Sequence, residues 1–338
     1  MEFNEKTLLV SGGTFGHIYS ALVLQKKFGC KLMINSSSKH FIDGNNDIEF
    51  FDFNYNYGLF DLIKQTWFFW KLLLKYDQLI IFGSYVCIPV VISSVFSNIK
   101  KYFQEQNTVL GKLNRLAYFL QFQPLLSWEK TIYIYEEPNF ILYTSKMLSC
   151  NLYNFFKTKK WIHYFDFFKE AIVFGYIINK DISTIKEENM ILIMPGGGGS
   201  TFFDNSLLNL LSKNIDKKYQ IIFIAKNKDN IINSINIPEN YEIHNFIHNI
   251  DEYIQKSKLI ISRSGAGNIA KILKYNKKAI LIPWDKAANG HQLLNAQMSQ
   301  ISYLEQKNLH LLMDQINILL LNNESCNYDN TMMKLKML

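Results

Sequence analysis

Cysteine is scarce, with four residues in 338, and Cys30, Cys87, Cys150 and Cys326 lie far apart with no C-x-x-C among them. That spacing suggests neither a zinc site nor a disulfide framework. Charge is also low: 19% of residues are charged against 48% hydrophobic. Such a balance excludes global disorder and leaves apolar surface for two cores, as a chain of this length leads one to expect. The sign excess is mild, Lys+Arg 36 against Asp+Glu 29, a formal charge of +7 with the seven His neutral. It favours phosphorylated ligands or an anionic membrane surface and lacks the clustered basic signature of a nucleic-acid binder. There is no dinucleotide G-x-G-x-x-G with an acidic residue closing the next strand, and no P-loop Gly-Lys-Ser/Thr.

A clean apolar run is missing too. The most apolar stretch, Leu59 to Leu74 (LFDLIKQTWFFWKLLL), holds Asp61, Lys64 and Lys71 and falls short of the roughly 20 apolar residues that a membrane span needs. Its four consecutive aromatics, Trp67 to Trp70, flanked by Lys64, Lys71 and Lys75, have the composition of a helix lying in a membrane interface. A core helix with its polar residues outward is the other reading of the same segment. Thr7 to Val10 already reads as a buried strand, with no secretory signal ahead of it, so a reducing cytosol is expected.

What is present is a regular alternation. Continuous apolar runs at 7–11, 31–35, 48–53, 78–82, 100–104 and 131–135, then at 190–194, 220–225, 258–262 and 278–283, read as strands covered on both faces. Helix-like segments fall between them, at about 205–213, 250–256, 266–275 and 291–300 in the second series. The pattern predicts an α/β chain with two Rossmann-like, doubly wound parallel sheets. The boundary is expected where YIINKDISTIKEEN turns polar, giving domains 1–178 and 179–321, with a tail from about 322 to 338 expected to pack back on the first.

Ligands of doubly wound sheets bind at the carboxyl ends of the strands, and five such ends carry glycine or small polar residues. They are Gly12-Gly13-Thr14-Phe15-Gly16-His17, Gly83-Ser84-Tyr85, Gln104-Glu105-Gln106-Asn107, Gly196 to Ser200, and Arg263-Ser264-Gly265-Ala266-Gly267. Each alone reads first as a tight turn. Together, in both halves, they point to a nucleotide-diphosphate ligand, because glycine lets backbone approach closely and helix starts offer N–H groups to an anion.

Taken in order, three of these turns, with Gly111, Asn114-Arg115, Ile282-Pro283, Ala287-Ala288, His291-Gln292 and Asn295-Ala296, resemble the MurG family of N-acetylglucosamine transferases over roughly residues 7 to 300. The resemblance implies the B-type glycosyltransferase fold, two domains facing across a cleft. It also implies a UDP-N-acetylglucosamine donor held mainly by the second domain and a lipid I acceptor (undecaprenyl-pyrophosphoryl-muramyl-peptide) held by the first. No cofactor or resident metal is implied. Thr14, Phe15 and Gly16 would line the site near sugar and diphosphate, and Asn107 would hydrogen-bond the N-acetylglucosamine. The Gly196 to Thr201 turn, with Gly198 and Ser200, and Ser264, Gly265 and Ala266 would bind diphosphate and nucleoside; Ile247 would rest on uracil and Gln292 would bond the donor sugar. The reaction would be a single inverting displacement, with His17 or Glu105 as the base. Imidazole titrates near neutrality, which favours His17, although it could equally position substrate; Glu105 could equally be a structural carboxylate bonding loop N–H groups. A peripheral enzyme at the cytoplasmic face of a bacterial inner membrane follows, docked through 59–75, with cell-wall synthesis proteins as further partners.

The chain departs from the family pattern at several positions. Phe15 replaces a glycine, Gln104 a histidine, and Gly198 a serine whose hydroxyl Ser200 would supply from a shifted place. Asn179, beside Lys180, stands where an arginine is expected, and Lys271 where a ribose-binding glutamate is expected. The changes at Asn179 and Lys271 motivate one alternative, a drifted, weakly active or non-catalytic lipid-intermediate-binding scaffold. The other is a B-type transferase acting on another lipid, against which Glu105-Gln106-Asn107 and the His291 to Ala296 segment argue.

Overall fold

The structure, a computed structural model, describes residues 2–42, 47–54, 56, 58–129, 131, 172–180, 185–229, 231, 237–322, 326, 328 and 331–338. It divides into two compact units, Met1–Asn179 with Lys334–Leu338, and Lys180–Met333.

In the first unit β1 (Thr7–Ser11), β2 (Lys31–Asn35), β3 (Ile48–Phe51), β4 (Gln78–Ile81), β5 (Lys100–Glu105), β6 (Gln123–Leu126) and β7 (Ile172–Val173) form one sheet, ordered β3-β2-β1-β4-β5-β6-β7. Every pairing in it is parallel. Strand β1 shows why the runs are continuous rather than alternating. Leu8 and Val10 pack in the layer with Phe69, Leu73 and Val90, while Leu9 packs in the opposite layer with Ile18, Ala21 and Leu24. Both faces are covered, as a parallel sheet requires. The helices supplying those layers are α1 (Phe15–Phe28), α2 (Leu59–Leu73), α3 (Ile88–Ser93) and α4 (Lys112–Phe119). Helix α1 ends at Gly29 in the left-handed conformation, its N–H bonded to the Gln25 carbonyl, with Lys26 and Lys27 in the last turn; both features suit a helix C-terminus. A short parallel pair, β8 (Tyr176–Ile178) with a C-terminal strand Leu335–Met337, completes the unit.

The second unit repeats the plan. Strands β9 (Met190–Met194), β10 (Gln220–Ile224), β11 (Tyr241–His244), β12 (Leu259–Ser262) and β13 (Ala279–Leu281) form a parallel sheet ordered β11-β10-β9-β12-β13. Around it lie α5 (Leu208–Asn214), α6 (Ile250–Lys256), α7 (Ala266–Lys274), α8 (His291–Ser299) and α9 (Leu312–Leu321).

The α/β class and the paired parallel sheets are as expected. Strand β6 was not, because Gln123 and Pro124 disguise it; Leu125 and Leu126 are nonetheless fully buried. The run expected at 131–135 lies outside the described residues except for Thr131. Among the described residues no helix is long and apolar enough to cross a membrane.

The segment 59–75 is neither a plain core helix nor uniformly exposed. Helix α2 buries Phe69 and Leu73 and turns Phe60, Ile63 and Trp67 outward, Phe60 at 80% exposure. Lys71 lies over the Trp67 ring at 3.6 Å. Trp70 is half-buried and donates its indole N–H to the Phe96 carbonyl at 3.2 Å, bringing exposed Val95 and Phe96 beside the helix.

Candidate active site

Strand order reverses at β1/β4 in the first unit and at β9/β12 in the second. These reversals open crevices at the strand carboxyl ends, and the glycine turns stand at them.

In the first unit the chain leaves β1 through Gly13, whose φ is +83° and where a Cβ would come within 2.6 Å of Ser84 Oγ. Only glycine accepts both conditions. The Gly13 N–H donates to Ser38 Oγ at 3.0 Å, so a serine from the next strand end fixes this turn. Thr14 is exposed and caps α1 through its backbone, without a side-chain bond. Phe15 turns toward Tyr19 and Phe41, with ring centroids at 6.1 and 5.7 Å, which is how the turn accommodates a large side chain there. His17, half-buried, brings its ring across to the end of β4: Nε2 would lie 3.4 Å from a Cβ on Gly83.

The Glu105-Gln106-Asn107 segment is the frame of this site. Glu105 is 2% exposed. Its Oε2 accepts the Gly111 N–H at 2.8 Å and the Asn114 amide at 2.9 Å, and its Oε1 accepts the Asn107 N–H at 3.0 Å and side-chain amide at 3.4 Å. Burial pushes the Glu105 carboxyl above its ordinary range, while these four donors pull the other way. Gln106 reaches to α1, donating to the Gly16 carbonyl at 3.0 Å and to Ser20 Oγ at 3.3 Å. Tyr176 adds a bond to the same Gly16 carbonyl at 3.4 Å. Thr14, Phe15, Gly16 and His17 are thus gathered with Glu105 and Asn107 at the carboxyl ends of the strands. Gln104 reaches the Gly175 carbonyl at 3.4 Å.

In the second unit the turn after β9 has Gly196 and Gly199 at positive φ, closed by the Gly199 N–H on the Gly196 carbonyl at 3.0 Å. Among the described residues a Cβ on Gly198 would meet nothing within 4 Å, and the same is true of Gly265. Both backbones are open to a ligand. Ser200 is not open: its Oγ accepts Arg263 Nη2 at 2.9 Å and the Phe203 N–H at 3.3 Å. The hydroxyl expected to replace the one missing at Gly198 therefore faces inward.

Arg263, with no assigned role in the sequence reading, organises this end of the sheet. It is 5% exposed, and its Nη1 donates to the Ile282 and Pro283 carbonyls, each at 3.0 Å, and to Gln306 Oε1 at 2.6 Å. Its guanidinium also stacks 4.7 Å from the Phe203 ring. Burial lowers its pKa to about 10. Next to it, Ser264 Oγ donates to the Gln292 carbonyl at 2.7 Å and Asn295 donates to the Ser264 carbonyl at 3.0 Å. The His-Gln-x-x-Asn-Ala segment thus buttresses the start of α7 at Ala266. The Gln292 side chain accepts the Trp284 N–H at 2.9 Å. Ile247 is 9% exposed on the segment after β11.

Lys271 does not stand alone where a glutamate was expected. It pairs with Asp251 of α6, which also accepts the Tyr275 hydroxyl at 2.9 Å and lies 3.8 Å from Lys274 Nζ. Burial raises the Asp251 pKa, but the Lys271 charge and hydrogen bond, with Tyr275 and Lys274, outweigh it and hold the carboxyl below its usual range.

Two doubly wound parallel sheets in series, with glycine turns at their switch points, have the architecture of the B-type glycosyltransferase fold. Residues 190–336 match the glycosyltransferase family 28 C-terminal domain. The chain is 25% identical over 328 residues, 91% of its length and 84% of the relative's, to the UDP-N-acetylglucosamine–N-acetylmuramyl-(pentapeptide) pyrophosphoryl-undecaprenol N-acetylglucosamine transferase of Wolbachia sp. subsp. Drosophila simulans (strain wRi). It is 27% identical to the protein of that name from Rickettsia bellii (strain RML369-C), covering 87% of this chain and 83% of the relative. The crystal structure of Acinetobacter baumannii MurG superposes with a TM-score of 0.62 at 17% identity, over 94% of this chain and 91% of that one. The chain is a glycosyltransferase and a homologue of the MurG transferases.

Proposed function

We propose that the chain transfers N-acetylglucosamine from UDP-N-acetylglucosamine to the 4-hydroxyl of the muramyl sugar of lipid I, giving lipid II for peptidoglycan synthesis. The observation that carries this reading is the match to transferases named for that reaction over 84% of their length. In this mechanism His17 removes the proton of the 4-hydroxyl. The oxygen attacks the anomeric carbon, the bond to the diphosphate breaks, and UDP leaves with inversion. Negative charge grows on the departing diphosphate. The open backbone at Gly196 to Gly199 and the N–H groups at the start of α7, Gly265 and Ala266, stabilise it. Ile247 lies against the uracil, and Gln292 holds the loop that meets the donor sugar.

Glu105 serves as the framework of the acceptor side rather than as the base, since both its oxygens already accept loop donors. Ser200 likewise holds its turn, and Asn107 and Thr14 meet the sugars. The outward stripe of α2, with Lys64, Lys71 and Lys75 exposed around Phe60 and Trp67, docks the protein on the anionic cytoplasmic face of the inner membrane. Aromatic insertion and lysine attraction supply the two terms such anchoring needs. Transfer of radiolabelled N-acetylglucosamine onto lipid I by the purified protein tests the reading. Binding of UDP without any transfer to that lipid would sink it.

A further inference from the structure

Helix residue Asp204 is a buried acid that no step of the mechanism uses. It is 7% exposed, and its two oxygens accept the Lys226 N–H at 3.1 and 3.3 Å. Burial pushes its carboxyl up, while the backbone N–H groups of Lys226 and Asn227 and the Lys226 charge pull it down. A buried carboxylate held by backbone donors fixes the chain it touches; here that is the turn leaving β10.

This turn lies directly under the glycine turn that follows β9. A Cβ on Gly199 would fall 2.6 Å from Lys226 Cβ and 2.8 Å from its Cγ, at a φ of +67°. Glycine at 199 is what lets the Lys226 stem rise against the Gly196 to Ser200 backbone. The lysine is exposed, and among the described residues its ammonium forms no ion pair. Several other cations of this unit are engaged. Arg263 is buried among four acceptors, Lys271 and Lys274 surround Asp251, and Lys277 pairs with Glu187 at 2.7 Å.

We infer that Lys226 is a donor-binding residue whose ammonium meets the diphosphate of the nucleotide sugar at the Gly196 to Ser200 turn, an assignment that rests on the donor reading of this unit. A lone ammonium acts as a point charge, so it distinguishes ligands by phosphate and not by base or sugar.

The test compares the full chain with Lys226→Gln and Lys226→Arg, titrating UDP and uridine separately by calorimetry at low salt. The expected result is a loss of about tenfold in UDP affinity for Lys226→Gln, recovery by Lys226→Arg, and unchanged uridine affinity, the size of one charge-assisted contact. Equal UDP affinity in wild type and Lys226→Gln overturns the inference and leaves the donor reading standing. Parallel loss of UDP and uridine also overturns it, since Lys226 would then act only through the shape of the turn. If the wild type bound neither ligand, the donor reading would fall and the inference with it.

Discussion

Arg263 Nη2 donates to Ser200 Oγ at 2.9 Å, which ties the turn after β9 to the end of β12 from behind. The contact reinforces the β9–β12 pairing, whose last register pair is Met194 with Ser262, next to the turns that carry Gly198 and Gly265. Ser200→Ala leaves a guanidinium N–H and the Phe203 N–H without an acceptor, a loss of about 1–3 kcal/mol. Arg263→Met strips partners from two carbonyls and Gln306, and is expected to cost ~3–5 kcal/mol. Urea unfolding measures both, and a Ser200→Ala protein as stable as wild type would refute the tie.

His17 and Glu105 separate by what each substitution damages. His17→Ala is expected to lower kcat by about 10²–10⁴-fold while UDP affinity and thermal stability stay at wild-type levels. Glu105→Gln instead turns an amide donor toward the N–H groups of Gly111 and Asn114, and should destabilise by about 1–3 kcal/mol. A Glu105→Gln protein that melts normally but does not turn over would make Glu105 the base.

The Lys271–Asp251 pair predicts a charge-swap result. Lys271→Glu sets a carboxylate against Asp251 and loses about 1–3 kcal/mol; adding Asp251→Lys restores most of it. Because the Asp251 pKa is depressed in the folded state, its stabilisation is present above the unfolded carboxylate pKa of about 3.9 and vanishes as pH falls through the lower folded value. The stability gap between wild type and Asp251→Asn should therefore be full at neutral pH and shrink under acid. A gap of constant size across that window would exclude the ion pair as its source.

For membrane docking the informative substitutions are Phe60→Glu with Trp67→Glu, since both side chains point outward, at 80% and 57% exposure. Co-flotation with anionic liposomes is expected to drop at least tenfold, with turnover on a soluble acceptor analogue retained. Trp70 is a poorer choice, because its indole N–H holds the Phe96 carbonyl and its loss would disturb the fold. Unaltered flotation of the double variant would remove α2 as the anchor.

Much of the architecture was legible in short stretches. Runs such as TLLVS and MILIM are buried at every position, so their continuity alone announces a parallel sheet covered on both faces. Pro124 and Gln123 concealed β6, where burial came from neighbours distant in sequence. In the site, the turns themselves could be read, and Asn114 and Arg263 stood in motifs of the family resemblance, but nothing local showed that they hold Glu105 and Ser200, and Asp204 and Ser38 carried no local signal. Their work is to hold backbone contributed by other strand ends.

The amino-acid sequence by itself determined the α/β alternation, the two sheets and the glycine turns at their strand ends, because apolar run length and glycine's backbone freedom act over a few residues. Tertiary structure alone decided how the chemical groups are used. Gln106 meets Gly16 across 90 residues and Arg263 meets Ser200 across 63, and Lys271 acquires Asp251 only when α6 lies beside α7. A hydrogen bond or ion pair between distant residues exists only once packing brings donor and acceptor together, so the same side chain reads as ligand, clamp or ion-pair partner until the fold assigns it.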